Sequence, residues 1–166
     1  MGDLVAFIYD DSLGGHVLRE GHPMKPVRLR YTYDLLDAYG AFDHSGPIVK
    51  PRHATVDELT TFHTRDYVDA VERLGVVGVG SDMERYNFTD AGDNPVYPGM
   101  FEAAKLGTGG SLVAAELVAT GSVSTAFNIG GGLHHAAADH ASGFCIFNDP
   151  VIAIKYLVSK GMKVAY

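Results

Sequence analysis

Residues 130–149 read Gly-Gly-Gly-Leu-His-His-Ala-Ala-Ala-Asp-His-Ala-Ser-Gly-Phe-Cys-Ile-Phe-Asn-Asp. Two adjacent histidines, His134 and His135, come just after a run typical of a buried strand. An aromatic ring, a thiol and two polar side chains follow within a few residues. Loops positioned by a rigid scaffold commonly carry catalytic groups. We therefore interpret this stretch as one half of an active site.

Apolar segments along the chain alternate between the periodicities of strands and helices. The pattern predicts strands over residues 4–9, 48–49 and 122–129, and a further strand that begins at Lys163. It predicts helices over residues 27–39, 55–63, 64–75, 100–119 and 150–159. Asp149 is expected to cap the last helix, with Pro150 in its first turn. Strands separated by helices favour an α/β fold with a parallel sheet, in which ligands bind outside the carboxyl ends of the strands.

Glycines cluster at two places, and neither cluster completes a phosphate-binding motif. Residues 107–110 read Gly-Thr-Gly-Gly inside a predicted helix, and residues 130–132 are three consecutive glycines. No G-x-G-x-x-G or P-loop pattern results, so nucleotide binding is not predicted. Because glycine costs about 1 kcal/mol relative to alanine inside a helix, we expect residues 107–110 to pack closely against another element.

The composition is typical of one globular domain in a reducing compartment. Hydrophobic residues make up 46% of the 166 residues, enough for a sizeable core. The formal net charge of -7 argues against a nucleic-acid partner, because binding phosphates requires a basic face. It suits a cationic substrate, although solubility alone explains it as well. The single cysteine excludes an internal disulfide, and neither a signal peptide nor a membrane span is predicted.

The histidine pair has more than one interpretation. On an extended segment, adjacent side chains point to opposite sides, which disfavours binding of one metal ion by both His134 and His135. In a loop, both imidazoles can face one cavity and act as acid and base near neutral pH. Two purely structural histidines explain the spacing equally well. Cys145 as a thiol nucleophile is a further alternative, but burial as an inert thiol is the commoner outcome.

Other candidate residues have ordinary structural alternatives. Asp93 could bind a substrate backbone or be a turn aspartate. Arg28 could line a channel or lie on a helix surface, and Phe144 is more often a core residue than a pocket wall. Five further histidines are interpreted as surface or packing residues; they are His22, His44, His53, His63 and His140.

Several motifs together resemble the signature of the histone deacetylase superfamily. They are Gly-Gly-Leu-His-His-Ala at residues 131–136, Ala-Ser-Gly-Phe-Cys at residues 141–145, and Asn148-Asp149. The resemblance extends to residues 22–23, 29–36, 63–68, 93–99 and 109–110. Residues 144–149 and 153–157 look most like bacterial acetoin utilization proteins, whereas His-Pro-Met-Lys-Pro at residues 22–26 is more similar to class I histone deacetylases.

The resemblance implies an arginase-like α/β fold with helices on both faces of a parallel sheet. It implies a metal-dependent amidohydrolase that removes acetyl groups from lysine side chains. By position, His135 would be the general base and acid, and His134 its electrostatic partner. The implied substrate-binding residues are Asp93 at the rim, Gly143 and Phe144 in the wall of the acetyl-lysine tunnel, and Arg28 and Cys145 near the inner acetate pocket.

The implied cofactor is Zn²⁺, and Fe²⁺ suits the same kind of ligands. The resemblance places the ligands, two aspartates and a histidine, after the strand that begins at Lys163. We therefore expect them beyond residue 166 and assign no metal ligand within the chain. Residues 1–166 would be the truncated N-terminal part of a single deacetylase domain, inactive by itself.

The resemblance leaves the substrate open among several acetylated amines. Acetylated proteins or peptides, with acetyl-CoA synthetase as an example, and acetylpolyamines are the implied partners. We expect a cytoplasmic protein in a bacterium, and a nuclear location is the eukaryotic alternative. The alternative function is that of a catalytically dead module that binds acetylated or cationic partners.

Overall fold

The computed structural model describes residues 4–43 and 46–166, which contain a three-stranded parallel sheet. The strands are β1 (Val5–Ile8), β2 (Ile48–Val49) and β3 (Thr125–Asn128), in the spatial order β2-β1-β3. Phe7 in the central strand pairs with Ile48 on one side and with Phe127 on the other, and both pairings are parallel. The predicted α/β fold with a parallel sheet is confirmed.

The helices follow the predicted order. They are α1 (Arg28–Ala38), α2 (Val56–Leu59), α3 (Arg65–Val77), α4 (Met100–Ala119) and α5 (Asp149–Ser159), with short 3-10 turns at Asp11–Gly14 and Glu84–Tyr86. At the start of α2, the Thr55 side chain accepts the Glu58 N–H and the Glu58 carboxylate accepts the Thr55 N–H. This reciprocal pair is a capping box. α2 ends four residues earlier than residue 63, where the prediction placed its end.

Helices cover both faces of the sheet, because β1 alternates apolar side chains between them. Ala6 and Ile8 pack on one face against α4, through Val113, Ala114, Leu117 and Val118. Phe7 and Tyr9 pack on the other face against α1, through Leu29, Tyr33 and Leu36. A parallel sheet covered on both faces is the arrangement expected for an apolar strand such as β1.

The main core lies between α3, α4 and α5. Tyr67 of α3 is fully buried, and its hydroxyl donates a hydrogen bond to the carbonyl of Ile146, 2.8 Å away. Phe147 and Ile152 bring the start of α5 into the same core. This packing joins the segment after the histidine pair to α3, in which Tyr67 precedes Ile146 by 79 residues in the chain.

The glycines of α4 allow close packing, as predicted. A Cβ atom on Gly107 would lie 3.2 Å from the carbonyl oxygen of Gly130, and one on Gly110 would lie 2.9 Å from the amide of Asn128. A Cβ on Gly109 would lie 2.7 Å from the carbonyl carbon of Arg52. Three neighbouring glycines thus let α4 approach the end of β3, the loop after it, and the segment before α2.

Two predictions about the end of the chain are wrong. Residues 163–166 form no strand, because a strand requires a hydrogen-bonded neighbour and these residues join none of the three described strands. The cap of α5 is Asn148, whose side chain accepts the Val151 N–H, and Asp149 is the first helical residue. The Asp149 carboxylate is instead hydrogen-bonded to the loop that follows β3.

Candidate functional site

The loop that carries the histidine pair begins at the carboxyl end of β3. Asn128, the last residue of that strand, accepts the Gly130 N–H through Oδ1 at 3.1 Å. Its Nδ2 donates to the Gly107 carbonyl at 3.0 Å and to the Ser111 hydroxyl at 2.9 Å. Because Gly107 and Ser111 belong to α4, one side chain joins the strand, the helix and the loop. This is the sheet edge at which parallel α/β folds bind ligands.

Asp149 connects the same loop to α5. Its buried carboxylate accepts the N–H groups of Gly132, at 3.0 Å, and Leu133, at 2.7 Å, and also the Ser111 hydroxyl. Burial raises the pKa of Asp149, and the hydrogen bonds from Ser111 and the two N–H groups oppose that rise. The loop is therefore held between α4 and α5 immediately before the two histidines.

His134 and His135 lie side by side on this loop, and both are exposed. Their ring centroids are 4.4 Å apart and their planes are nearly perpendicular, at 88°. Nδ1 of His134 lies 2.8 Å from the hydroxyl of Tyr166. Two accessible imidazoles at the ligand-binding edge of the sheet can exchange protons with a bound molecule.

The segment after the pair makes a tight hairpin with left-handed backbone. Ser142 and Cys145 exchange two backbone hydrogen bonds of 3.1 and 2.8 Å, and the residues between them, Gly143 and Phe144, have φ of 50° and 71°. Two consecutive positive φ values define the type I′ turn. Phe144 is strained there, since a bulky residue rarely adopts positive φ. Its N–H is held by the Asn94 side chain at 3.0 Å.

Gly143 brings this hairpin against the histidine pair. A Cβ atom at Gly143 would lie 2.9 Å from both Cγ and Cδ2 of His135. No side chain fits there without displacing the imidazole. The glycine therefore sets how closely the hairpin approaches the ring.

A cavity of about 60 Å³ brings together three of the candidate substrate-binding residues. Arg28, Asp93 and Phe144 line it, together with Leu133, the residue before the histidine pair. His134, His135, Gly143 and Cys145 are not among its lining residues. The candidates thus form two neighbouring groups, one lining the cavity and one on the loop. The groups are adjacent in sequence at two places, because Leu133 and Phe144 line the cavity whereas the next residue to each, His134 and Gly143, does not.

His16 and Tyr97 also line the cavity, and sequence reasoning did not select them. Their rings are stacked, with centroids 5.5 Å apart and planes inclined by only 7°. Burial lowers the pKa of His16. The aromatic and acidic composition of residues 81–99 was a signal for Tyr97, whereas no sequence motif surrounds His16.

His22 is a buried packing residue, as the sequence analysis favoured. Its Nδ1 accepts the Met24 N–H at 3.1 Å, and its Nε2 lies 3.2 Å from the Asp93 carbonyl oxygen. Its ring also meets the Phe144 ring edge-on, at 4.9 Å between centroids. His22 therefore supports both the Asp93 and the Phe144 side of the cavity.

Cys145 has the environment of an inert thiol. It is buried, its sulfur lies 3.4 Å from the Gly143 carbonyl oxygen, and burial raises the pKa of the thiol. Because the thiolate is the nucleophilic form, these surroundings disfavour nucleophilic catalysis by Cys145.

His63 is a second buried histidine, and its environment selects the neutral ring. Its Nε2 accepts the Asn148 N–H at 2.9 Å, so the proton lies on Nδ1, which faces the Ala138 carbonyl at 3.2 Å. Burial lowers the pKa of His63 to about 4, although hydrogen bonds to the Ala138 and Ala137 carbonyls oppose that shift. The structure places His63 inside the core, in contact with the start of α5.

Acid should destabilise the protein through His63. Above pH 6.5 the ring is neutral in both states, and between pH 6.5 and about 4 the unfolded chain binds the proton while the folded chain does not. We expect a loss of about 3 kcal/mol in the free energy of unfolding across that range. Urea unfolding at several pH values measures it. The His63→Gln variant keeps a donor and an acceptor but cannot be protonated in this pH range, so its free energy of unfolding should fall less than that of the wild type. If the free energy of unfolding falls equally with pH in both proteins, His63 is not the group responsible.

The remaining histidines lie away from the cavity. His53 approaches Glu102 at 3.5 Å, and His140 approaches Asp139 at 2.7 Å, both partly exposed to solvent. His44 is outside the residues that the structure describes. Within residues 4–43 and 46–166, no helix has the length and apolar character needed to cross a membrane.

Comparison with known proteins gives consistent similarity over nearly the whole chain. Residues 22–166 match the histone deacetylase domain. Acetoin utilization protein AcuC of Bacillus subtilis (strain 168) is 43% identical over 154 residues, which cover 93% of this chain and 40% of that protein. Histone deacetylase HDAC1 of Drosophila melanogaster is 38% identical over 165 residues, which cover 98% of this chain and 31% of that protein. Histone deacetylase 1 of Homo sapiens is 37% identical over 165 residues, which cover 98% of this chain and 34% of that protein. The chain thus spans about a third of the length of these relatives.

Proposed function

This chain belongs to the family of histone deacetylase domains, and from that premise we propose that the protein hydrolyses the acetyl-amide bond of acetyl-lysine. The observation that most directly supports this function is the placement of the two histidines. His134 and His135 are accessible, 4.4 Å apart, and lie at the carboxyl edge of the sheet. They adjoin a cavity lined by Arg28, Asp93 and Phe144.

In this proposal His135 moves the protons of the hydrolysis. It accepts a proton from a water molecule as the water oxygen bonds to the acetyl carbonyl carbon. When the carbon–nitrogen bond breaks, His135 returns that proton to the leaving lysine nitrogen, so that acetate and free lysine are formed. His134, with its ring against that of His135, stabilises the charge that His135 acquires.

The substrate lies along the cavity side of the site. Phe144 forms the cavity wall beside the lysine stem, Gly143 extends that wall toward the histidine pair, and the Asp93 carboxylate accepts N–H groups of the substrate backbone. Arg28 attracts the acetate product because a guanidinium matches a carboxylate in charge and shape. Cys145, a buried free thiol, is proposed to lie near the inner end of this acetate-binding region.

A metal ion is part of the proposal, but the described residues do not provide its site. Among residues 4–43 and 46–166, no group of three histidine, cysteine or acidic side chains is arranged to hold an ion. We propose that Zn²⁺, with Fe²⁺ as the alternative, is bound by residues of the parent protein outside this chain.

The proposed substrates are acetylated proteins or peptides, with acetyl-CoA synthetase as an example, or acetylpolyamines. All carry an acetyl group on a flexible amine chain, which suits a small cavity lined by apolar side chains and by Asp93. We propose a cytoplasmic location in a bacterium and a nuclear one in a eukaryote.

An acetate-release assay on the full-length parent protein tests the function. The protein, supplied with Zn²⁺ or Fe²⁺, is incubated with an acetyl-lysine peptide and, separately, with an acetylpolyamine. We expect release of acetate and of the free amine from at least one substrate, and loss of activity with a chelator. Failure to release acetate from either substrate, in a folded and metal-loaded protein, would refute the proposal.

An alternative function concerns the 166-residue chain taken alone. It would be a module that binds acetylated or cationic partners without turnover. Calorimetric titration with the acetyl-lysine peptide distinguishes the two functions, because the alternative predicts saturable binding without acetate release.

A further inference from the structure

Asn148 is connected to the histidine loop by more contacts than a helix cap requires. Its Oδ1 accepts the Val151 N–H at 3.2 Å, which is the ordinary capping contact. Its Nδ2 donates to the carbonyl of His134 at 3.1 Å and to the carbonyl of Ala136 at 2.9 Å. These two carbonyls are on either side of His135, so one buried amide holds the backbone before and after that residue.

The neighbours of Asn148 hold the rest of the loop. The Asn148 N–H donates to His63, and His63 faces the carbonyl of Ala138. Asp149 accepts the N–H groups at positions 132 and 133. The loop is therefore hydrogen-bonded to one short segment both before and after His135.

Capping alone does not explain an asparagine at this position. A cap needs only a side-chain acceptor, and serine, threonine or aspartate supplies one. Two donors directed at two carbonyls require an NH₂ group, which those three side chains lack. The structure thus gives separate tasks to the two ends of the Asn148 amide, the oxygen for the helix and the nitrogen for the loop.

From these contacts we propose that Asn148 is a positioning residue for His135. It fixes the peptide group between His134 and His135 and the one after Ala136, and thereby the direction of the imidazole toward the bound acetyl-amide. The inference rests on the proposed deacetylase function for its consequence in catalysis, but the restraint on the loop stands independently of it.

The Asn148→Ser substitution separates the two tasks, because serine keeps a capping acceptor and replaces the two N–H donors with a single, shorter O–H group. Hydrogen exchange followed by mass spectrometry on the full-length protein measures how fast the backbone amides of the loop exchange with solvent. We expect exchange of the amides in residues 133–138 to become about tenfold faster, while those in residues 151–153 change by less than about twofold. Unchanged exchange in residues 133–138 would overturn the proposal.

Steady-state kinetics provide the second readout. We expect Asn148→Ser to lower kcat by about 10²-fold with KM nearly unchanged, because a misdirected base slows the chemical step more than binding. Ile152→Ala is the control: Ile152 lies in the same helix and is buried in the core. It should lower stability but leave kcat within about threefold. Equal losses of kcat in the two variants would refute positioning.

The two readouts also separate this inference from the proposed function. If the wild-type protein releases no acetate, the proposed function has failed, and exchange in residues 133–138 still decides whether Asn148 restrains the loop. If the wild type is active and Asn148→Ser is equally active, the positioning role alone is refuted.

Discussion

We expect the His135→Ala variant of the full-length protein to have a kcat about 10²- to 10⁴-fold below that of the wild type on an acetyl-lysine peptide. The range is the usual contribution of one general acid–base group, and the variant removes the proposed base for the attacking water. KM should change little, since His135 is not among the residues that line the cavity. Initial rates over a range of peptide concentrations separate kcat from KM.

A matched histidine variant controls for the loss of an imidazole. His140 lies in the same stretch, partly exposed beside Asp139, and has no described contact with His135. The His140→Ala variant should therefore keep its activity. Gly143→Ala should also lower kcat, but by less than His135→Ala, since the new methyl group would lie 2.9 Å from the His135 ring and displace it. More than about a tenth of wild-type kcat in His135→Ala would contradict general acid–base catalysis by that residue.

Most of the fold follows from periodicity and local capping. β1, α1, α3 and α4 were predicted within a few residues because each carries an apolar pattern of one clear period. The glycines of α4 were correctly interpreted as packing positions, since glycine inside a helix needs a compensating contact. Residues 163–166 could not be predicted in this way, because a strand depends on a neighbour as well as on its own side chains.

The start of α5 shows where local rules are insufficient. Asn148 and Asp149 are both good caps by residue type, so the sequence does not choose between them. The choice depends on residues 132–133, whose N–H groups donate hydrogen bonds to the Asp149 carboxylate. Contacts between residues 15 or more positions apart decided the helix boundary.

The candidate site was predictable by motif resemblance more than by pattern. Spacing alone left the roles of His134 and His135 open, and it gave no reason to combine Arg28, Asp93 and Phe144. The structure brings the latter three to one cavity. His16 belongs to that cavity only because the segment after β1 folds over it, which no local feature of the sequence indicates.

The Gly109→Ala variant should be strongly destabilised, by at least about 2 kcal/mol in the free energy of unfolding. The added Cβ would lie 2.7 Å from the Arg52 carbonyl carbon and 2.8 Å from the Ala54 nitrogen. Both contacts are with backbone, so no rotamer change relieves them. Moving the segment away would break the hydrogen bond from the Ala54 N–H to the Lys105 carbonyl, 2.9 Å long.

The Arg52 side chain increases the expected loss. Its guanidinium donates to Glu58 at 2.7 and 2.8 Å and also binds Glu116 of α4. Displacing the Arg52 backbone therefore strains an ion-pair network that joins α2 to α4. Chemical denaturation of the wild type and of Gly109→Ala measures the difference in stability.

The sign of the change distinguishes packing from helix propensity. Replacing glycine by alanine inside a helix ordinarily stabilises it by about 1 kcal/mol, so propensity alone predicts a more stable Gly109→Ala. Gly15→Ala is the control for the substitution itself: φ there is -78°, and its Cβ would come no closer than 3.5 Å to another atom. That variant should be within about 0.5 kcal/mol of the wild type. If Gly109→Ala is as stable as the wild type or more so, α4 does not approach residues 52–54 as closely as described. The close contacts of α4 would then be limited to those of Gly107 with Gly130 and of Gly110 with Asn128.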